Sequence, residues 1–500
     1  MRRKISFFMA IGMLAISITG CSLDDKKKGT GENSSQTNVE VNQNVNLDTD
    51  EYQLYTELFD LNNTISVQLE ISQEELDKLQ ADYEYYDDME SKSPIYRLVD
   101  KVIISVGDKV YEIEEVGIKL KGNTSRVPVY DEETGELNLS HYKLSFNETF
   151  DKEEYYGSDV KYWATEEERQ ARKDRRFATL KDLEIKWNKN YDYTYIRELY
   201  ANEIFREAGV LAQKVNVCSF GINGENYGVV NIYEPVDEIF IEKNLPQEDW
   251  GGDLFKCEWT NRPANYVKNS VSYGIEDEDA AMFYNYDLKS NKKESTFESI
   301  IGLLDTLDNK NITVEEFESK VDKDYLMNFL AASYFVGNPD DMRNNYNNHY
   351  VYFLPSTGKA IFIPYDTDRC LGITYHWNPD GTGLTAMSPF TDETSNPWMG
   401  QSNPLVLKTI LEDGFYVEDY KNALAKVASS ELWKIEKFEE YYEKAKTNYE
   451  TLVTPTIEFA NMDHQFNFSL DGTYTTGDEC NMSFEEYVTR KMETYNEEIK

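Results

Sequence analysis

Two oxygen-rich segments flank a predicted β-hairpin in the second half of the chain. The first contains Asp340 and Asp341, followed closely by Asn345 and Asn348. The second is Asp366 to Asp368, directly after an apolar, strand-like stretch. Because a hairpin brings its two ends together, the carboxylate and amide oxygens of both segments are expected to meet. Hard oxygen ligands of this kind suit Mg²⁺ or Mn²⁺ holding a polyphosphate.

Phosphoryl transfer assigns these groups distinct roles, because it needs charge on the phosphates and a carboxylate near the attacking hydroxyl. Asp340 or Asp341 would orient the acceptor hydroxyl, and Asp366 and Asp368 would hold the metal. The spacing from Asp340 to Asn345 equals the Asp-to-Asn spacing of the protein-kinase catalytic loop. Two residues are candidates for completing the metal ligands: Asn345 and Asn348.

Basic side chains on or beside the predicted N-terminal strands are candidates for contacting phosphate oxygens. Lys121 and Arg126 lie at the ends of a polar turn, and Lys143 lies on the strand that follows it. The alternative is that these side chains face solvent, as alternating lysines on strands often do. Three more residues are candidates for the nucleotide pocket: Arg197, Glu234 and Lys256. Arg197 and Glu234 also fit a structural ion pair.

Composition narrows the possible partners. The 500 residues carry 51 basic and 92 acidic side chains, a formal net charge of −41. Such a charge disfavours DNA or RNA as a partner, although nucleotide binding needs only a local cluster of Lys, Arg or metal. Four cysteines are far apart and lack C-x-x-C spacing, which argues against zinc-binding and thioredoxin-like sites. They are interpreted as small buried hydrophobic residues, with a disulfide of unassigned pairing as the alternative: Cys218, Cys257, Cys370 and Cys480.

The N-terminal sequence predicts export and lipidation. A basic start is followed by an apolar stretch over residues 5–18 and by Ile18-Thr19-Gly20-Cys21, which resembles a bacterial lipobox. Cleavage would leave Cys21 carrying diacylglycerol, anchoring the protein to the outer face of the bacterial cytoplasmic membrane. An ordinary signal peptide or an uncleaved anchor is the alternative.

The remaining pattern predicts an α+β protein. Residues 1–21 form the lipoprotein signal, 22–50 a disordered polar tether, and 51–500 one folded domain. The N-terminal half is strand-rich and the C-terminal half is mainly helical, and residues 372–404 have the irregular pattern of a lid or substrate-facing loop. Strands are predicted at 66–71, 102–106, 110–120, 142–146, 215–220 and 229–233, and helices at 195–208, 297–307, 314–336, 405–411 and 418–453.

Several segments in the same order resemble the CotH kinase family, the spore-coat-protein-H-like atypical kinases. The resemblance covers residues 65 to 411, and 412–500 would be a helical extension. Its segments are Ile118-Lys119-Leu120-Lys121-Gly122-Asn123-Thr124-Ser125, Tyr142-Lys143-Leu144-Ser145-Phe146, Asp192 with Tyr195 to Leu199, Gly228 to Glu234, Gly252 to Lys256, Gly337 to Asp340, and Pro364 to Asp368.

This resemblance implies a distantly protein-kinase-like fold that binds ATP with Mg²⁺ or Mn²⁺ and phosphorylates Ser or Thr of a protein. By position, Asp340 would be the catalytic-loop aspartate and Asp366 the metal-binding aspartate. Asn348 matches the family's asparagine better, whereas Asn345 has the usual kinase spacing, so both stay open. Tyr365 stands where the family usually has Trp.

Two functions follow as hypotheses. The first is a membrane-anchored extracytoplasmic kinase that transfers the ATP γ-phosphate to a protein partner. The second is a non-catalytic surface lipoprotein that uses the kinase-like fold to bind a protein or a glycan. A spore-coat role belongs to some relatives, while the lipobox indicates the membrane surface. The sequence does not predict an oligomeric state.

Overall fold

A computed structural model describes most of the chain after residue 48, and all of this part belongs to a single unit of the chain. The described residues are 49–89, 92–122, 125–131, 134–260, 262–276, 284–375, 377–391, 403–411, 414–453, 467–476 and 479–499. The predicted signal and nearly all of the predicted tether therefore lie outside the described residues.

The described strands and helices are numbered here in chain order. The strands are β1 (Ile65–Glu70), β2 (Arg97–Val106), β3 (Lys109–Lys121), β4 (His141–Ser145), β5 (Asp182–Trp187), β6 (Val215–Ile222), β7 (Glu225–Tyr233), β8 (Leu254–Cys257), β9 (Tyr273–Gly274), β10 (Tyr286–Leu288), β11 (His349–Phe353), β12 (Ala360–Pro364), β13 (Thr475–Thr476) and β14 (Glu479–Cys480). The helices are α1 (Asp50–Leu58), α2 (Gln73–Met89), α3 (Glu153–Tyr156), α4 (Glu166–Lys173), α5 (Arg197–Glu207), α6 (Glu238–Asn244), α7 (Glu298–Asp308), α8 (Val314–Glu318), α9 (Lys323–Val336), α10 (Pro404–Ile410), α11 (Val417–Ala428), α12 (Ile435–Tyr449) and α13 (Phe484–Glu498).

The first seven described strands form a closed barrel in the order β1-β2-β3-β4-β5-β7-β6. Neighbours are antiparallel except β1 and β6, whose parallel pairing closes the barrel. Side chains alternate between the two faces of each strand. The apolar set, including Leu120, Leu144 and Ile185, fills one core, while the polar set includes Lys121, Lys143 and Lys186. One face of β3, β4 and β5 therefore carries lysines.

A second sheet has the order β12-β11-β8-β10-β9 and contains the predicted hairpin. In that hairpin β11 pairs with β12 from His349 opposite Pro364 to Phe353 opposite Ala360. The strand β8 pairs with β11 on its other side, which puts Lys256 opposite Tyr350. The sheet thus draws strands from both predicted halves of the chain and places the hairpin ends beside β8.

The largest apolar core lies among α5, α7, α9 and α11 and one face of the second sheet. Helix α9 is buried along most of its length and ends at Gly337, whose φ of +65° suits a residue without a Cβ. Cys218, Cys257 and Cys370 are free and buried, in agreement with the sequence interpretation.

The expectation of a mixed α and β protein is confirmed, but two predicted helices are interrupted. The helix predicted over 314–336 is two helices, α8 and α9, because Asp322 caps a new start by accepting a hydrogen bond from the Tyr325 N–H. The helix predicted over 418–453 is likewise split into α11 and α12 by a short 3₁₀ turn at Glu431–Trp433. Within the described parts of the chain, no helix is both long and apolar enough to cross a bilayer.

Candidate active site

The loop between α9 and β11 fixes the carboxylate of Asp340. It accepts hydrogen bonds from the side-chain amides of Asn345 at 2.5 Å, Asn347 at 3.1 Å and Asn348 at 2.9 Å. Burial raises the pKa of Asp340 to about 6, against the lowering effect of the bonds from Asn345 and Asn347. The carboxylate is therefore fixed in orientation and more basic than a solvated one, as suits a group that accepts or orients a proton.

The neighbouring Asp341, the other predicted catalytic residue, organises the loop backbone. One oxygen accepts the N–H groups of Arg343 at 2.9 Å and Asn344 at 2.8 Å, and the other accepts the hydroxyl of Ser333. Burial raises the pKa of Asp341 to about 6, opposed by these bonds. These contacts stabilise the loop backbone, so Asp341 fits a positioning role and Asp340 stays the candidate catalytic aspartate.

The two asparagine candidates for binding the metal differ in their side-chain oxygens. The Oδ1 atom of Asn345 is buried and has no hydrogen-bond partner, while its Nδ2 donates to Asp340. A buried polar atom without a partner costs free energy, and a divalent cation would supply the missing interaction. Asn348 is partly buried and donates to the other oxygen of Asp340. The donor set thus fits a metal, with Asn345 as the better ligand.

Asp366 follows β12 and meets the same loop. Its φ is +51°, a left-handed conformation that Asp tolerates better than most residues, and its backbone oxygen accepts the Nδ2 of Asn338 at 3.2 Å. Its carboxylate lies 2.5 Å from Nζ of Lys186. Burial alone would raise the pKa of Asp366, but Lys186 and then Lys121 hold it well below its usual range. Asp366 is therefore ionised and available to a cation.

Lys186 and Glu198 are site residues that the sequence analysis did not select. The Nζ atom of Lys186, on β5, lies 3.4 Å from Glu198 at the start of α5 as well as 2.5 Å from Asp366. Burial raises the pKa of Glu198 to about 7, against the pull of Lys186, with the nearby Asp368 adding to the rise. One signal could have indicated Lys186: it is a lysine on the short strand Asp182–Trp187, just before the family-like segment Tyr195 to Leu199 that contains Glu198.

Bonds from several elements pin the segment after β12. Asp368, a predicted metal ligand, has its side chain 15% exposed and lines the same cleft as Lys186 and Glu198. Asn202 Nδ2 donates to Thr367 Oγ1 at 3.1 Å, and Asn190 Nδ2 donates to the backbone oxygen of Asp368 at 3.1 Å. Arg197 donates to the backbone oxygen of Leu371 at 2.6 Å. Contacts from α5 and from the turn before it thus hold the segment that carries the two predicted metal-binding aspartates.

The three predicted lysines each have a carboxylate partner. Lys121 lies 2.6 Å from Glu184, Lys143 lies 2.8 Å from Asp182, and Lys256 lies 2.6 Å from Glu258, as the ion-pair contacts show. Lys121 and Lys256 both reach the ring of Tyr365, next to Asp366, whereas Lys143, on β4, lies in register with Glu184 and pairs with Asp182. The structure therefore brings Lys121 and Lys256 toward the metal-binding segment and gives Lys143 a contact within the barrel wall.

Arg126, Arg197 and Glu234 have structural partners instead. Arg126 donates to the Gly122 oxygen at 2.7 Å and packs on Tyr86. Arg197 and Glu234 do not pair with each other, because each has a different oppositely charged partner. Arg197 is 2% exposed and lies 3.4 Å from Asp192, and Glu234 pairs with Lys243.

A cleft lies between β5, the start of α5 and the segment after β12. Burial and the neighbouring lysines lower the pKa of His141 far below its usual value, so this imidazole is neutral. The cleft is lined by His141, Lys186, Trp187, Asn188, Lys189, Asn190, Asp192, Tyr195, Arg197, Glu198, Asn231, Asp368 and Ile373.

Some predicted features lie outside the described residues: the lipidation residue Cys21, Asn123 and Thr124 of the polar turn, and residues 376 and 392–402 of the predicted lid, including Trp398. Across the ranges that are described, no three or more His, Cys, Asp or Glu residues are grouped so as to hold a metal ion by themselves. A cation between Asp366 and Asn345 would therefore need phosphate or water oxygens to complete its ligands.

Comparison with known proteins gives one family. The family model described as CotH kinase protein matches residues 134–468, which is more than half of the chain. The inner spore coat protein H of Bacillus subtilis (strain 168) is 26% identical over 260 residues, covering 51% of this chain. The match covers 65% of that relative, slightly less than two thirds of its length.

Among solved structures, the crystal structure of the Helicobacter pylori proinflammatory kinase CtkA matches with 14% identity and a TM-score of 0.24. It covers 54% of this chain and 87% of that chain. At that TM-score the likeness supports no detail of this site.

Proposed function

Because the chain belongs to the CotH kinase family, we propose that it is an extracytoplasmic, membrane-anchored kinase that transfers the γ-phosphate of ATP to Ser or Thr of a protein. The observation that carries this proposal is the position of Lys186 between Glu198 and Asp366, at 3.4 and 2.5 Å. Protein kinases need a lysine–glutamate pair beside a metal-binding aspartate, and that is the arrangement of charges found here.

Each residue has a definable task in this reaction. Asp340, fixed by three amides, orients the acceptor hydroxyl and takes its proton. Asp366, with the Oδ1 of Asn345, would hold Mg²⁺ or Mn²⁺, which when bound neutralises charge on the phosphates. Lys186 and Lys121 would bind phosphate oxygens, and Glu198 keeps Lys186 in place.

Radiolabelled γ-phosphate transfer with the purified protein tests the reaction. With Mg²⁺ or Mn²⁺ we expect autophosphorylation or labelling of a protein acceptor, and loss of at least a hundredfold in Lys186→Met and Asp366→Ala. Lys109→Met is a matched control, because Lys109 also pairs with a carboxylate, Glu57 at 2.7 Å, but on the surface. Transfer that survives Asp366→Ala would reject the metal role. Absence of nucleotide binding with either metal would favour a non-catalytic lipoprotein that binds a protein or glycan.

Membrane anchoring is a separate part of the proposal and rests on the lipobox-like sequence before Cys21. Metabolic labelling with an alkyne fatty acid, followed by cell fractionation, tests it. We expect labelled protein in the membrane fraction and an unlabelled, released form for Cys21→Ala. Equal membrane association of both forms without label would reject lipidation.

A further inference from the structure

Three lysines from three different strands meet at the ring of Tyr365. Their Nζ atoms lie 5.1 Å (Lys121), 5.8 Å (Lys186) and 4.9 Å (Lys256) from the ring centroid. Lys121 lies beyond the hydroxyl edge of the ring, whereas an aromatic face attracts an ammonium that lies over it. A carboxylate within 2.6 Å of each ammonium offsets most of the repulsion among the three cations, and Tyr365, which is 7% exposed, adds to this.

The hydroxyl of Tyr365 gives Lys121 its direction. The ammonium donates to this hydroxyl at 2.7 Å. It also forms an ion pair with Oε2 of Glu184 at 2.6 Å. A lysine ammonium has three N–H donors, and these two contacts leave one of them. The flexible side chain is thus oriented by Tyr365 and Glu184 while one donor remains for a ligand.

Tyr365 is itself held by both ends of the hairpin. Its backbone N–H donates to the Asn348 oxygen at 3.1 Å, and its ring packs edge-on against Tyr350 with centroids 5.3 Å apart. Asp366 is the next residue along the chain. The position of the lysines is therefore fixed relative to Asp366 and to the loop that carries Asp340.

We propose that Tyr365 is a positioning residue for polyphosphate binding: its hydroxyl orients Lys121, and its ring packs against Lys256 beside Asp366, while Lys186 lies closer to the ring of Tyr233, at 4.4 Å. This proposal rests on the proposed function in taking the ligand to be a metal-bound nucleoside triphosphate. The side chain itself does not contact the reacting atoms. It acts through the lysines.

Three substitutions separate the hydroxyl from the ring. Tyr365→Phe keeps the ring, and we expect the dissociation constant of ATP with Mg²⁺ or Mn²⁺ to rise about two- to tenfold, because Lys121 must be ordered on binding. Tyr365→Trp should resemble Phe, since an indole N–H cannot accept from an ammonium. Tyr365→Leu removes the ring as well and should weaken binding about threefold or more beyond Phe. KM for ATP should follow the same order, with kcat changed less.

A control variant tests for a merely structural effect. Tyr449→Phe removes another buried hydroxyl, which donates to the Val217 oxygen on β6 at 2.7 Å and accepts the Ile65 N–H at 2.7 Å. It should lower the stability of the protein but leave the dissociation constant of ATP unchanged. Nucleotide affinity that falls with stability in all variants, Tyr449→Phe included, would overturn the positioning role.

A readout without nucleotide separates this inference from the proposed function. Pulsed acetylation of the ligand-free protein, read by mass spectrometry, should label Lys121 faster in Tyr365→Phe than in the wild type, relative to Lys78. Unchanged labelling and unchanged ATP affinity would overturn the inference. Faster labelling in a protein that binds no nucleotide would support the orientation of Lys121 and reject ATP as the ligand.

Discussion

The hydroxyl of Tyr266 lies 2.8 Å from Nε2 of His349 in the interior of the second sheet. Nδ1 of the same ring lies 3.0 Å from the backbone oxygen of Asn347, which can only accept, so Nδ1 carries the proton and Nε2 accepts from Tyr266. The side chain of Asn347 donates to Asp340 at 3.1 Å. A chain of hydrogen bonds thus runs from the buried sheet to the proposed catalytic aspartate.

Removing the start of this chain should affect both stability and rate. Tyr266→Phe leaves a buried imidazole nitrogen without a donor, so we expect the free energy of unfolding to fall by about 1–3 kcal/mol. Asn347 would then be held less firmly, and kcat should fall several-fold with the KM for ATP nearly unchanged. Urea denaturation and initial rates measure the two effects. Tyr325→Phe, which removes a buried hydroxyl that accepts the Leu211 N–H, should lower stability alone. An equal fall of kcat in both variants would contradict the link to Asp340.

Metal affinity should distinguish the two asparagines. Asn345→Ala removes the buried unpaired oxygen, and we expect the Mg²⁺ or Mn²⁺ concentration for half-maximal activity to rise about tenfold or more. Asn348→Ala removes a bond to Asp340 and should lower kcat with less effect on the metal requirement. Metal titrations of the phosphoryl transfer rate give both values. A larger shift of metal affinity in Asn348→Ala would reverse the assignment.

Nucleotide binding should depend on the metal. Lys121, Lys186 and Lys256 are each neutralised by a neighbouring carboxylate, that of Glu184, Asp366 and Glu258 respectively. ATP without metal would therefore place its negative charge beside these carboxylates, with no additional cation to balance it. In thermal unfolding we expect ATP with Mg²⁺ or Mn²⁺ to stabilise the protein, by about 2.7 kcal/mol at a hundredfold excess over the dissociation constant. ATP with EDTA should give no shift, and equal shifts with and without metal would contradict the metal role.

Stability should depend on pH through Glu276, away from the cleft. Burial, with the charge of Asp287 adding to it, raises the pKa of Glu276 to about 7 from an ordinary value of 4.5. The folded state thus binds the proton more tightly, so the stabilisation is complete below pH 4.5 and is lost as pH rises to about 7. Glu276→Gln cannot ionise and should become more stable than the wild type across this window, by about 1 kcal/mol after allowance for its partial exposure.

Urea denaturation at pH 4.5 and pH 7.5 tests this dependence. The exposed Glu167→Gln substitution is the control and should show no difference between the two pH values. A Glu276→Gln variant whose advantage is the same at both pH values would show that Glu276 does not titrate in this range.

The hairpin and its oxygen-rich ends could be predicted because their signals are local. Two β-rich stretches around a turn define β11 and β12, and the acidic segments immediately precede and follow them. Many barrel strands were also predicted, since alternation of apolar residues is visible within a few positions. The roles assigned to Asp340 and Asp366 remain predictions, although the structure brings both residues to one place.

Lys186 was not selected, because its one local signal, a lysine just before the segment containing Glu198, is weak and its significance depends on Asp366, a partner distant in sequence. On its strand it looks like one polar residue in an alternating pattern, and only the fold places it beside Asp366. The choice between Asn345 and Asn348 likewise depends on the fold. Both follow Asp340 in the sequence, and only the unpaired oxygen of Asn345 separates them.

Hydrogen bonds from several elements restrict the movement of the segment after β12. Asp366 is tied to Asn338, Thr367 to Asn202, Asp368 to Asn190 and Leu371 to Arg197. Swinging this segment between an active and an inactive position would break all four bonds at once. For the proposed kinase, we therefore expect activity to depend on the amount of protein and on the supply of ATP and acceptor, and not on movement of this segment.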